Sequence, residues 1–148
     1  MARDAIAVCY VDTSALIKRY LQETGSDAFD AFCEEGRLDR VICPLGATEF
    51  TSSLQRRIRL GTLTSRQATA VRQRFLSDVA SGGWRMIDFD VDVFARANSL
   101  LLTLGAPLAT LDVLHLACAL QHDAPEFATA DRQLAAAAAK AKLRVHSF

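Results

Sequence analysis

The stretch IAVCYVDTSALIKRY, residues Ile6 to Tyr20, is an apolar run that ends at an acid. Ile6, Val8, Tyr10 and Val11 have the β-branched and aromatic character of a short buried strand. Asp12 stands where that strand leaves the core, followed by hydroxyls at Thr13 and Ser14 and by the helical run SALIKRYL. Two readings of the acid are open. Asp, Thr and Ser are favoured at helix starts because their side chains accept from amides that have no partner in the helix. The carboxyl end of a buried strand is also where open α/β sheets bind their ligands.

Outward from this stretch, strands and helices alternate. GRLDRVICP holds a second short strand, Arg40 to Cys43, and Pro44 suits the first turn of the next helix. That helix, about Leu45 to Leu60, carries Ala47, Phe50, Leu54 and Ile58 at helical spacing. Thr64 or Ser65 caps a further helix through Val79, and SGGW breaks it. WRMIDF reads as a third strand, with a helix from Asp90 to about Leu104. After the loop GAPLATLD, VLHLACALQ is apolar on all sides, as a buried helix is. PEFATAD is a fourth strand, RQLAAAAAKAK a helix, and RVHSF a final edge strand. This alternation predicts an α/β fold with a parallel sheet of about four to five strands and helices on both faces. No linker or repeat interrupts it, so residues 1–148 read as one domain.

Composition narrows the function classes. The chain of 148 residues is 51% hydrophobic, with mean hydropathy +0.14, enough for a sizeable core. Lys plus Arg number 17 and Asp plus Glu 17, so the net charge is zero. That balance excludes binding driven by bulk positive charge. Attraction to phosphate must be local or carried by a metal. Cys9, Cys33, Cys43 and Cys118 form no C-x-x-C pair. With neither a signal-like leader nor an apolar run of roughly 18 residues, a cytoplasmic protein with reduced, buried thiols is expected, without a membrane span, disulfide framework or zinc site.

Four acids fall near the carboxyl edge of the expected sheet: Asp12, Glu49, Asp112 and Asp131. Asp12 and Asp131 end strands and also suit helix caps. Asp112 opens the buried helix, where a charge needs a partner; His115, one turn on, is a candidate but reads better as a satisfied core histidine. Glu49 alone is an ordinary glutamate. Four carboxylates brought together without basic neighbours repel unless a cation joins them. All-oxygen donors favour Mg²⁺ or Mn²⁺ over zinc. Such an ion activates water and neutralises charge developing on a phosphate.

YVDTSALIKRY, LGATEFTSSLQRR, LATLDVLHLACAL and FATADRQLAAAA resemble, in order and spacing, the four blocks of PIN-domain ribonucleases, in particular the VapC-type toxins of bacterial toxin–antitoxin pairs. TLDVLHLA and TADRQL are the most specific pieces, and the block around Glu49 the weakest. The resemblance spans nearly the whole chain and implies a PIN-like three-layer sandwich, Mg²⁺-dependent cleavage of RNA, a homodimer, and a cognate antitoxin whose tail covers the acidic pocket. By the same resemblance Asp12, Glu49, Asp112 and Asp131 form the acidic constellation. Asp12 and Asp112 are then the metal ligands, Asp131 and Glu49 act directly or through water, and Ser14 and Thr129 are supporting hydroxyls.

Other features are read as structure or as contact surface. Arg56, Arg57, Arg59, Arg66, Arg72 and Arg74 crowd the middle helix pair, as a solvated face or a local phosphate track. Lys18 and Arg19 are placed to meet RNA or an antitoxin acid. Asp88, Asp90 and Asp92 suit caps and solvation, and Phe29, Phe32, Phe50 and Phe75 suit the core. Two rivals remain. A phosphorylated receiver domain needs an acid pair on the first strand, an acceptor Asp mid-sheet and a late Lys, which this chain lacks. A PIN fold serving only as a scaffold would be expected to have lost acids.

Overall fold

The computed structural model describes residues 6–148. Five parallel strands form one sheet in the order β3-β2-β1-β4-β5: β1 Ala7–Val11, β2 Leu38–Ile42, β3 Arg85–Met86, β4 Glu126–Thr129 and β5 Arg144–Ser147. Among the described residues seven α-helices cover it: α1 Thr13–Leu16, α2 Ser26–Glu34, α3 Pro44–Arg59, α4 Ser65–Ala80, α5 Val91–Thr103, α6 Thr110–Gln121 and α7 Arg132–Lys140. β1 is central, with Cys9 opposite Arg40 of β2 and opposite Glu126 of β4.

Successive residues of a strand point to opposite faces, and the two cores divide accordingly. Tyr10, Val41 and Phe127 pack on the face covered by α5, α6 and α7. Cys9, Val11, Ile42 and Ala128 pack on the other, with Phe29, Phe32, Phe50, Phe75 and Trp84. The four phenylalanines are core, as expected. On that side the Trp84 indole donates to the Tyr20 hydroxyl (2.7 Å), which donates to Asp78 (2.6 Å), so the buried polar tips satisfy one another. The layers form a helix–sheet–helix sandwich of the expected class.

Local chemistry sets most boundaries. Pro44 is the first residue of α3, where its missing N–H costs nothing. Thr64 and Gln67 close a capping box on α4. Asp90 caps α5 through the Asp92 amide (3.0 Å). The segment between β1 and β2 differs from expectation: a short α1 and a 3-10 turn, Ile17–Arg19, replace one helix, and α2 follows separately. The reversal occurs at Gly25, whose φ of 87° suits glycine, and whose added Cβ would lie 2.9 Å from the Phe148 carbonyl carbon. β3 is shorter than WRMIDF, although the Ile87 amide still reaches the Ile42 carbonyl (2.8 Å). Among the described residues no helix is long and apolar enough to cross a membrane.

Candidate active site

Asp12 follows the last residue of β1, and its amide bonds the Ala128 carbonyl of β4 (3.1 Å). Its side chain is 3% exposed. One carboxylate oxygen accepts from the Ser14 hydroxyl (2.8 Å) and the Ala15 amide (3.0 Å); the other accepts from the Thr129 hydroxyl (2.9 Å). Each hydroxyl has one proton, and both protons go to Asp12. Their lone pairs are used elsewhere: Ser14 Oγ accepts from the Ala130 amide (2.8 Å), and Thr129 Oγ1 from the Asp131 amide (3.0 Å). The turns after β1 and β4 are thereby joined through Asp12. Burial nevertheless raises its pKa, against the opposing pull of His115 and of these hydrogen bonds. Asp12 is therefore both the cap of α1 and a carboxylate strained by desolvation.

Glu49 lies in the second turn of α3. It accepts from the Thr13 hydroxyl (2.8 Å) and from His115 Nε2. Burial would raise its carboxyl, but His115 and Thr13 outweigh burial and lower it. His115 is the residue whose partner sequence reasoning missed. It is buried, bonded to Glu49 rather than to Asp112, and its Nδ1 meets the Tyr10 hydroxyl (2.7 Å), which in turn contacts Cys43 Sγ (2.9 Å). Burial disfavours its charged form, yet hydrogen bonds with Cys43 and Glu49, and the charges of Glu49 and Asp12, push its pKa up to about 10. As an imidazolium it donates from both nitrogens and links α3, α6 and β1. A buried histidine at i+3 from an acid was the available signal, and it pointed at the wrong acid.

Asp112 lies in the first turn of α6, half-buried. Its pKa is raised first by burial, then by the charges of Asp131 and Glu49, with His115 pulling the other way. Asp131 caps α7, accepting from the Leu134 amide (2.8 Å). Asp112 thus feels the charges of Asp131 and Glu49, and the buried His115 is a counter-charge to Asp12, Glu49 and Asp112. Among the described residues the four acids do not place three ligand atoms within 4.8 Å of one another; Cys9, Glu126 and His146 do. The chemistry of the donor set, carboxylates with excess negative charge and a half-exposed Asp112, fits a hard divalent cation that keeps part of its water.

Lys18 and Arg19 are engaged otherwise than expected. Lys18 is buried, donating to the Thr24 carbonyl (2.5 Å) and paired with Glu23 (3.3 Å). Arg19 pairs with Asp30 (2.8 Å). Both hold the α1–α2 segment together. Of the six arginines, Arg57 pairs with Glu23 (3.0 Å); the other five are exposed. Arg72 lines a groove of about 500 Å³ between α3 and α4.

This arrangement defines an acid-lined α/β domain, and the chain belongs to the PIN domain family, whose model matches residues 9–140. Similar solved structures include the Mycobacterium tuberculosis toxin VapC20, described as cleaving the sarcin–ricin loop, at 18% identity over 87% of this chain and 94% of that chain, with a TM-score of 0.68. VapBC2 from Rickettsia felis, bound to a promoter DNA fragment, matches at 13% identity over 95% and 98%, TM-score 0.68. FitAcB from Neisseria gonorrhoeae matches at 18% over 93% and 95%, TM-score 0.69. At these identities the likeness carries the fold. No curated protein sequence matches the chain.

Proposed function

We propose that the protein is a Mg²⁺-dependent endoribonuclease, the cytoplasmic toxin of a toxin–antitoxin pair. The observation that carries this reading is the buried Asp12, oriented by two hydroxyls and an amide, together with an Asp112 carboxyl raised by burial and by Asp131 and Glu49. Asp12 and Asp112 would hold the Mg²⁺, with Mn²⁺ able to replace it. Bound there, the ion supplies charge neutralisation at the scissile phosphate and acidifies a water. Ser14 and Thr129 keep Asp12 in place. Glu49, charged and already bonded to Thr13 and His115, contributes fixed negative charge and is a weak base. Asp131, at the mouth of the same pole, orients the attacking water. PIN nucleases generally use divalent ions, which agrees with this donor set.

Purified protein is expected to cut structured RNA with Mg²⁺ or Mn²⁺ and to stop in EDTA. Asp12→Asn should lose cleavage by at least about a hundredfold while keeping its circular dichroism spectrum. Undiminished cleavage by the variant would assign the activity to a contaminant and favour a non-catalytic scaffold.

The toxin reading also supplies partners. Several similar structures are toxin–antitoxin complexes, and a homodimer bound to an antitoxin is proposed here. An arginine on the antitoxin tail would satisfy the acids by paired hydrogen bonds, as the cation does. Co-expression with the adjacent gene, followed by size exclusion with light scattering, should yield a complex of two toxin chains with antitoxin. A monomer that retains no neighbouring gene product would favour a free-standing nuclease.

A further inference from the structure

On one face of the sheet, across β1, β4 and β5, lies a second group of metal-ligating side chains that the nuclease reading does not use. Cys9 of β1 and Glu126 of β4 are direct ladder partners, and His146 of β5 lies two positions beyond the residue opposite Glu126. In a parallel ladder these three side chains leave the same face of the sheet. Their ligand atoms all lie within 4.8 Å of one another. We infer that Cys9, Glu126 and His146 form a zinc-binding site that fastens the edge strand β5 to β1 and β4.

The donor set points to the metal. Thiolate, imidazole and carboxylate are together the ligands of zinc, whereas Mg²⁺ and Ca²⁺ take oxygen alone. Tetrahedral zinc holds its donors roughly 3–4 Å apart, so the present spacing needs only small side-chain shifts. Charge also balances: one thiolate and one carboxylate neutralise the ion, and imidazole binds as the neutral form. Three protein ligands leave a fourth position. Glu126 and His146 also line a cavity of about 490 Å³, with Phe32, Glu35, Arg37 and Arg144, from which a water would supply that fourth ligand.

The surroundings support a site with a fixed geometry. Glu126 is 8% exposed, a poor place for a carboxylate whose neighbours are His146 (2.5 Å) and an exposed Arg144 at 3.8 Å. The Phe32 ring packs at 4.8 Å from the His146 ring and restrains it. Cys9 is fully buried behind both and keeps its proton in the metal-free protein, because burial, then Glu126 and Cys33, push the thiol up to about 12. Zinc takes that proton's place, and the Glu126–His146 hydrogen bond gives way to two metal bonds.

The bland alternative is that Glu126 and His146 merely satisfy each other. Cobalt distinguishes the two, because Co²⁺ occupies zinc sites and a thiolate ligand gives a charge-transfer absorption that oxygen donors do not. Metal-free, reduced protein would be titrated with Co²⁺ in excess Mg²⁺, which covers the acidic pole. The expected result is a thiolate-to-cobalt band saturating at one equivalent and bleached by Zn²⁺. Cys9→Ala should lack the band. His146→Gln, at a partly exposed position, should bind Co²⁺ at least about tenfold more weakly, since even outer-shell partners of metal ligands are worth that much. Wild-type protein without the band, a band that persists in Cys9→Ala, or equal affinity in His146→Gln overturns the proposal. If Cys9→Ala fails to fold, the His146→Gln affinity decides alone. The result is independent of ribonuclease activity.

Discussion

At the scale of single residues, the acids differ in what the chain has done with them. Asp12 is buried and receives three donors, Glu49 is neutralised by His115, and Asp131 spends one oxygen on a helix amide. The positions of all four were readable, because each sits at a strand end or in the early turns of a helix. Their partners were not. Glu49 and His115 lie on helices that cross only in the folded molecule, and nothing in either helix alone names the other. The pair has a pH consequence. His115 has a folded pKa near 10 against an ordinary value of 6.5, so its contribution is complete below 6.5 and is lost as pH rises through about 10. His115→Gln should therefore lose about 1–3 kcal/mol at pH 6 by urea denaturation. The deficit should shrink as pH approaches 10, and a deficit that does not change with pH would mean that His115 acts by packing alone.

At the scale of elements, periodicity and caps revealed the β–α alternation, the edge position of β5 and the starts of α3, α4 and α5. The segment from Gln22 to Glu35 resisted reading. It carries Phe29, Phe32 and Cys33 at helical spacing, but its helix begins after Gly25 with no side-chain cap on the backbone, so nothing marks its start. This segment engages both basic residues: Glu23 and Thr24, just before α2, hold Lys18, and Asp30 and Glu34 of α2 are partners of Arg19. The reversal at Gly25 is testable. Gly25→Ala imposes a left-handed φ on a residue with a Cβ and presses that atom on Phe148. A loss of about 1–3 kcal/mol is expected in urea denaturation. A neutral or stabilising effect would contradict the close approach of the C-terminal residue to this turn.

At the scale of the molecule, zero net charge coexists with two side-chain groups of distinct chemistry on the same sheet. The carboxyl pole gathers carboxylates with the buried His115 as counter-charge; the second group, on one face of the sheet, offers sulfur, nitrogen and oxygen. The first was legible because acids at strand ends are conspicuous in sequence. The second was not, because Cys9, Glu126 and His146 lie on three strands and their common face depends on register. The central claim is that the carboxyl pole takes a divalent cation. Raised folded pKa values mean that Asp12 and Asp112 favour folding only at low pH, an advantage lost as pH climbs through their folded values. The metal-free fold therefore disfavours the charged form of these carboxylates, and a cation bound only by the folded state favours it.

The direct measurement is the melting temperature of wild type and Asp112→Asn at pH 8, each in EDTA and in excess Mg²⁺. At a hundredfold excess over Kd, Mg²⁺ stabilises the wild type by about 2.7 kcal/mol, or roughly 5–10 °C for a domain of this size. Asp112→Asn should melt higher than wild type in EDTA and lose most of that Mg²⁺ shift. A variant destabilised in EDTA that keeps the full Mg²⁺ shift would contradict the account, because Asp112 would then be neither repelled by its neighbours nor a ligand of the cation.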